Sequence, residues 1–197
     1  VKKPKLIIMV DCGSTSHQSV AYLNNKKIKS IIIDHHEINK PYPKTNVLIN
    51  PKKNINNFLK DYYCATTLTY FFLEMIIKKI KSSFNLSNYL IYVLLALVCD
   101  VMPLRKINRY IALNQIKKFK IKDNIVFKTI YELCEKKNNF TIEDLGFLIG
   151  PIINSGGRVS SSQIATDLLI SEKLHVVREK SLKLIKLNKI RKEIENK

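Results

Sequence analysis

The chain has 197 residues, a formal charge of +18 and 46% hydrophobic residues. That apolar share argues against disorder, and the length suits one domain with a core that needs no disulfide staples. Five glycines and six prolines exclude linker-like and collagen-like chains. In chain order, Lys5–Val10 (KLIIMV), Ser30–Ile33 (SIII) and Asn46–Ile49 (NVLI) are short unbroken apolar runs. Such runs suit strands buried on both faces of a parallel sheet. The stretch Ser16–Asn24 supplies a crossover helix, with Ser14-Thr15-Ser16 offering capping hydroxyls. After Asp61 the pattern turns helical, over Ala65–Lys81, Tyr89–Val101, Asn108–Phe119, Asn124–Lys136, Ile142–Ile153 and Ser162–Ile170. A last charged helix, His175–Lys197, carries Leu184, Leu187, Ile190 and Ile194 at helical spacing. The expected organisation is an α/β region over 1–172 and a terminal connecting helix over 173–197.

The positive charge has two readings. Phosphates are the commonest partner of a basic protein. Only Arg105, Arg109, Arg158, Arg178 and Arg191 are arginines, however, and the abundance of Lys, Ile and Asn is what an AT-rich genome encodes. A specific phosphate site is better sought among the rare guanidinium groups. Cys12, Cys64, Cys99 and Cys134 form no CxxC pair, so a structural zinc site is not expected. The longest apolar run, Tyr89–Cys99, is too short to span a bilayer. With no secretory signal visible, the expected location is the cytoplasm.

Two constellations carry chemistry. The first two strands end in Asp11-Cys12-Gly13 and Asp34-His35-His36, and Asp100 follows the apolar run Leu94–Cys99. Ligands of open α/β sheets bind beyond the carboxyl ends of the strands. Carboxylates and imidazoles gathered there form a mixed oxygen and nitrogen site suited to Mn²⁺, Mg²⁺ or Zn²⁺. The second constellation is Leu148 to Arg158, with Asn154, Gly156, Gly157 and Arg158 in sequence. It reads either as a phosphate cradle built on backbone N–H groups or as a helix end closed by glycine with Arg158 in solvent.

Together, the ordered elements DCG (Asp11–Gly13), IIIDHHE (Ile31–Glu37), NP (Asn50-Pro51), CDVMPL (Cys99–Leu104), NRYIALNQI (Asn108–Ile116), GFLIGPIINSGGR (Gly146–Arg158) and LNKIR (Leu187–Arg191) resemble the RecJ family. These are single-strand-specific 5′→3′ DNA exonucleases of the DHH phosphoesterase superfamily, acting in DNA repair and recombination. The resemblance covers almost the whole chain. It implies an incomplete DHH phosphoesterase domain: a parallel sheet with flanking helices, then a helical subregion and a connecting helix. It implies Asp11, His35 and Asp100 as metal ligands and Asp34 as the carboxylate that orients His35. His36 would face the scissile phosphate, with Asn154, Gly156, Gly157, Arg158 and Arg109 near substrate phosphate. Two Mn²⁺ or Mg²⁺ ions would assist the hydrolysis of single-stranded DNA.

The departures carry expectations of their own. The family's DxDxDG segment has no counterpart, since Val1–Val10 holds no acidic residue. Ile152 stands where the family usually has Arg, and Thr66-Thr67 replace a Gly-containing turn. The expectation is a piece of a longer enzyme: a weak one-site Mn²⁺ binder with little turnover, an open strand edge, and missing segments supplied by separate chains. The competing readings are another DHH phosphoesterase, acting on short RNA, nucleotides or pyrophosphate, and a non-catalytic remnant that binds nucleic acid through lysines.

Overall fold

A computed structural model describes residues 3–53 and 62–196. The first apolar run forms β1 (Leu6–Val10). It crosses through α1 (His17–Asn25) to β2 (Lys29–Ile33), which is followed by β3 (Val47–Ile49). The three strands are parallel, in the order β1-β2-β3, with Val10 opposite Ile33 and Ile33 opposite Ile49. The β2–β3 register is pinned by side chains as well as the ladder. Ser30 N–H donates to the Asn46 carbonyl Oδ1 at 2.9 Å, and the Thr45 hydroxyl donates to Ser30 O at 2.8 Å. The fold is α/β, as its alternating runs predict.

Strand β2 buries Ser30, Ile32 and Ile33. β1 behaves otherwise: Leu6, Ile8 and Val10 are exposed. An unbroken apolar run does not distinguish a central strand from an edge strand, so burial on both faces fails for β1. Among the described residues β1 and β3 are the two edges of the sheet, and β3 likewise has no fully buried residue.

Helix α2 (Ala65–Lys79) packs on the sheet and on α3 (Leu90–Cys99), whose Ile91, Val93, Leu94, Leu95 and Leu97 are buried. α4 (Lys106–Lys118) follows. The chain divides into two compact units, residues 1–111 and 112–197. The division at 172/173 expected from sequence therefore falls inside the second unit.

The second unit is helical. α5 (Ile125–Leu133) starts on Asn124, whose side-chain oxygen accepts from the amides of Val126 and Phe127 at 3.1 and 3.0 Å. A continuous helical run comprises α6 (Ile142–Asp144), a π-helical segment (Leu145–Ile149) and α7 (Gly150–Val159). It extends six residues beyond the end expected from sequence. α8 (Gln163–Ile170) and α9 (Leu174–Glu195) complete the unit, and Lys197 lies outside the described residues. α9 packs against α5, α7 and α8 through buried Val177 and Leu184. No helix among the described residues is long and apolar enough to cross a membrane.

Candidate metal centre

The parallel pairing brings the carboxyl ends of β1 and β2 to one edge. Asp11 N–H still donates to Ile33 O at 2.9 Å, and Asp34 N–H to Ile49 O at 2.9 Å. Asp11 itself adopts φ 63°, which turns the chain off the strand. Gly13 follows at φ 111°, where a Cβ would lie 3.1 Å from Ile32 Cγ1. Only glycine meets both demands, and the turn folds back over the sheet.

That turn delivers Ser14 to Asp34. Ser14 N–H donates to Asp34 Oδ2 at 2.9 Å. Asp34 Oδ1 accepts from His35 N–H at 2.8 Å, His36 N–H at 3.2 Å and His36 Nδ1 at 2.7 Å. The carboxylate is 1% exposed. Burial opposes its charge, but the hydrogen bonds from Ser14 and His36 outweigh it and hold Asp34 well below the usual carboxylate range. An ionised carboxylate only accepts, so Nδ1 of His36 carries the proton and Nε2 keeps its lone pair. Hydrogen bonding to Asp34 raises the His36 pKa above its ordinary value. These bonds correct one expectation. Asp34 orients the ring of His36 rather than that of His35, because the tight Asp-His-His turn folds the i+2 side chain back onto the carboxylate.

Asn50, at the end of β3, completes the framework. Its Nδ2 donates to Ser14 Oγ at 2.8 Å and to His36 O at 3.0 Å. The ends of all three strands are thus tied through Ser14, Asp34 and Asn50. The sequence reading gave Ser14 only a capping part and named Asn50-Pro51 among the resembling elements without assigning Asn50 a role.

His35 Nε2 stands 3.2 Å from Asp11 Oδ1 and 3.7 Å from Asp100 Oδ2. Donors around a divalent ion at about 2.1 Å lie about 3–3.5 Å apart, so Asp11 and His35 stand at ligand spacing and Asp100 lies just beyond it. The donor atoms of Asp11, His35 and His36 also lie within 4.8 Å of one another. Asp100 caps the carboxyl end of α3, where the helix dipole already disfavours an anion. Its pKa is raised, chiefly by burial, with His35 pulling it down and Asp11 pushing it up. A cation there relieves all the unfavourable contributions at once, which is what a metal ligand requires.

The loop after Asp100 is strained and fastened. Val101 takes φ 53°, a left-handed conformation costly for a β-branched residue. Met102 N–H donates to Leu97 O at 2.9 Å, closing α3 in the manner usually served by glycine. Asn108 is buried in α4, and its Nδ2 donates to Pro103 O at 3.0 Å and Tyr62 O at 2.7 Å. It is a clamp that sequence inspection did not single out. Arg109, beside it, is exposed and has no acidic partner among the described residues.

Asn154, Gly156, Gly157 and Arg158 lie in the second unit, on α7. Asn154, Gly157 and Arg158 are exposed. Gly156 is buried, with a Cβ position 3.0 Å from Leu184 Cδ2 and 2.9 Å from Ser161 O. Both glycines sit inside the helix, whose ladder takes up their amides. The backbone cradle expected at the glycine pair is therefore not formed: the close approach that Gly156 allows is to α9. Neither glycine closes the helix in a left-handed turn, since Gly13 alone among the described glycines has positive φ.

Residues 1–97 match the N-terminal domain of the DHH family. Over 98% of its length the chain is 31% identical to the single-stranded-DNA-specific exonuclease RecJ of Haemophilus influenzae, of which it spans 36%. It is 27% identical over 97% of its length to the RecJ of Escherichia coli, spanning 35% of that protein. A crystal structure of RecJ with Mn²⁺ from Thermus thermophilus superposes with a TM-score of 0.81, at 21% identity, covering 98% of this chain and 29% of that one. A crystal structure of exonuclease RecJ bound to manganese gives 0.84, also at 21% identity, over 98% of this chain and 48% of that one. The chain thus spans about a third of the length of these curated relatives.

Proposed function

We propose, from the match of residues 1–97 to the N-terminal domain of the DHH family, that the chain belongs to that family and forms part of a RecJ-type, metal-dependent exonuclease acting 5′→3′ on single-stranded DNA. The carrying observation is His35 Nε2 set between two carboxylates, at 3.2 and 3.7 Å, on the carboxyl edge of a parallel sheet. Similarity to RecJ over nearly the whole chain supports the substrate assignment. Asp11, His35 and Asp100 would hold Mn²⁺ or Mg²⁺. When bound, the ions supply Lewis acidity toward the phosphate and a nucleophilic water.

The remaining chemistry belongs to the chain's own groups. His36 directs Nε2 away from Asp34 and is 61% exposed at its side chain, so it is free to face the scissile phosphate. The charged Asp34 holds the proton on Nδ1 and so fixes that ring in one tautomer and one orientation, with Nε2 aimed outward. Asn154 and Arg158 bind substrate phosphate, with Gly157 allowing close approach and Arg109 a further cation on the path of the strand. We place this activity in DNA repair and recombination in the cytoplasm.

Among the described residues the site offers too few donors for two ions, so turnover should be slow and Mn²⁺ binding weak and single-site. The test pairs an Mn²⁺ titration with single-turnover cleavage of a 5′-phosphorylated strand under excess protein. Mn²⁺-dependent release of nucleotides from single strands, lost in Asp100→Ala, is expected. Equal cleavage of duplex, short RNA or pyrophosphate, or cleavage indifferent to Asp100→Ala, would overturn the reading.

A further inference from the structure

The helical run from Ile142 to Val159 buries one side and bares the other. Ile149, Ile152, Ser155 and Gly156 are buried, whereas Phe147, Asn154 and Arg158 are exposed. The exposed three stand at i, i+7 and i+11, the spacing of a single helix face. Phe147 is 84% exposed and its ring has no aromatic partner among the described residues. It forgoes the burial that an apolar ring ordinarily finds. It also sits in the π-helical segment Leu145–Ile149, a distortion that recurs at functional sites.

The charge on this face is equally available. Arg191 is held by Glu195 at 2.7 and 2.8 Å and by Asn188 at 3.1 Å. Arg158 has no such acidic partner among the described residues. One helix face therefore offers a bare aromatic ring, an amide and an unneutralised guanidinium. That combination is complementary to a single strand, whose bases stack on rings while its phosphates seek cations.

We propose that Phe147 is a base-stacking platform for single-stranded nucleic acid, with the strand running along Asn154 toward a phosphate at Arg158. This rests on the single-stranded DNA reading and adds to it a group that senses the base. A site built on phosphates alone would hold an abasic strand equally well.

The chain contains no tryptophan, so Phe147→Trp introduces a sole indole reporter. The full chain is titrated, with Ca²⁺ present to suppress turnover, with 5′-phosphorylated oligo(dT) and with an abasic oligomer of the same length. Stacking should quench the indole with oligo(dT) and not with the abasic strand. Phe147→Ala should weaken oligo(dT) binding by about five-fold or more and leave abasic affinity unchanged. Ile170→Ala, exposed on α8, should alter neither. Wild-type affinity for oligo(dT) in Phe147→Ala, or equal quenching by both strands, overturns the proposal alone. Failure of the unmodified chain to bind any single strand overturns it together with the substrate reading.

Discussion

Among the described residues each unit buries one carboxylate among hydrogen-bond donors, and the two do opposite jobs. Asp34 in the first unit is 1% exposed and Asp144 in the second is 5% exposed. Both are held ionised despite burial, Asp34 by Ser14 and His36, and Asp144 at a pKa of about 2 by Lys136, Tyr131 and Thr141. Asp144 ties Tyr131 Oη at 2.6 Å, Lys136 Nζ at 2.8 Å and the Thr141 amide at 2.9 Å, fastening the start of α6 to α5. Every one of those partners is structural. Asp34 instead spends a bond on a ring that faces outward at the edge of the sheet. Burial and a depressed pKa mark both residues; only the partner separates a functional carboxylate from a structural one.

Asp34→Asn should break the comparison most strongly. It keeps the shape but removes an acceptor and the charge that fixes His36, leaving that ring free to change tautomer. Strand turnover should fall by about 100-fold. Stability should also drop, by about 2–3 kcal/mol, because the amide cannot satisfy all four bonds. A thermal melt run beside single-turnover strand cleavage reads both effects. Retained turnover in a folded variant would reduce Asp34 to the structural role of Asp144.

Asp144→Asn is the converse, with a stability loss of about 2 kcal/mol and no change in Mn²⁺ affinity. Its pH dependence has a definite sign. The folded pKa lies below the ordinary value of 3.8, so the stabilisation is full above that value and disappears as pH falls toward 2. The wild-type melting temperature should fall across this window more steeply than that of the variant. Parallel curves would show that the Asp144 cluster does not carry the acid sensitivity.

The same contrast explains what could be read from sequence. Apolar runs ending in Asp11 and Asp34 declare a parallel sheet and the edge at which its ligands gather, because strand period and strand ends are local properties. The return of His36 onto Asp34, the clamp at Asn108 and the exposure of β1 depend on a two-residue turn, a contact 46 residues away and the sheet order, respectively. The last two are not local, and the first is a side-chain return that strand periodicity does not register. The Asp144 cluster was half legible, since Thr141-Ile142-Glu143-Asp144 carries a helix-start spacing, but Tyr131 and Lys136 reach it only through tertiary packing. The π-helical segment left no periodic trace at all.

The smallest effect separates two neighbouring glycines that look alike in sequence. A Cβ on Gly156 meets Ser161 O at 2.9 Å and Leu184 Cδ2 at 3.0 Å, and the first is backbone that cannot move aside cheaply. Gly156→Ala should therefore cost about 1–3 kcal/mol by pushing the Ser161 backbone away from α7. A Cβ on Gly157 meets only Ser162 Cβ, at 3.7 Å, an ordinary contact. With helical φ and an exposed position, Gly157→Ala should gain up to about 1 kcal/mol from helix propensity. Melting temperatures of the two variants give the signs directly. If Gly157→Ala stabilises the chain yet weakens binding of a 5′-phosphorylated strand, the substrate approaches α7 too closely for a methyl group. If binding is unchanged, the glycine pair serves packing alone, and recognition on this helix falls to the side chains of Phe147, Asn154 and Arg158.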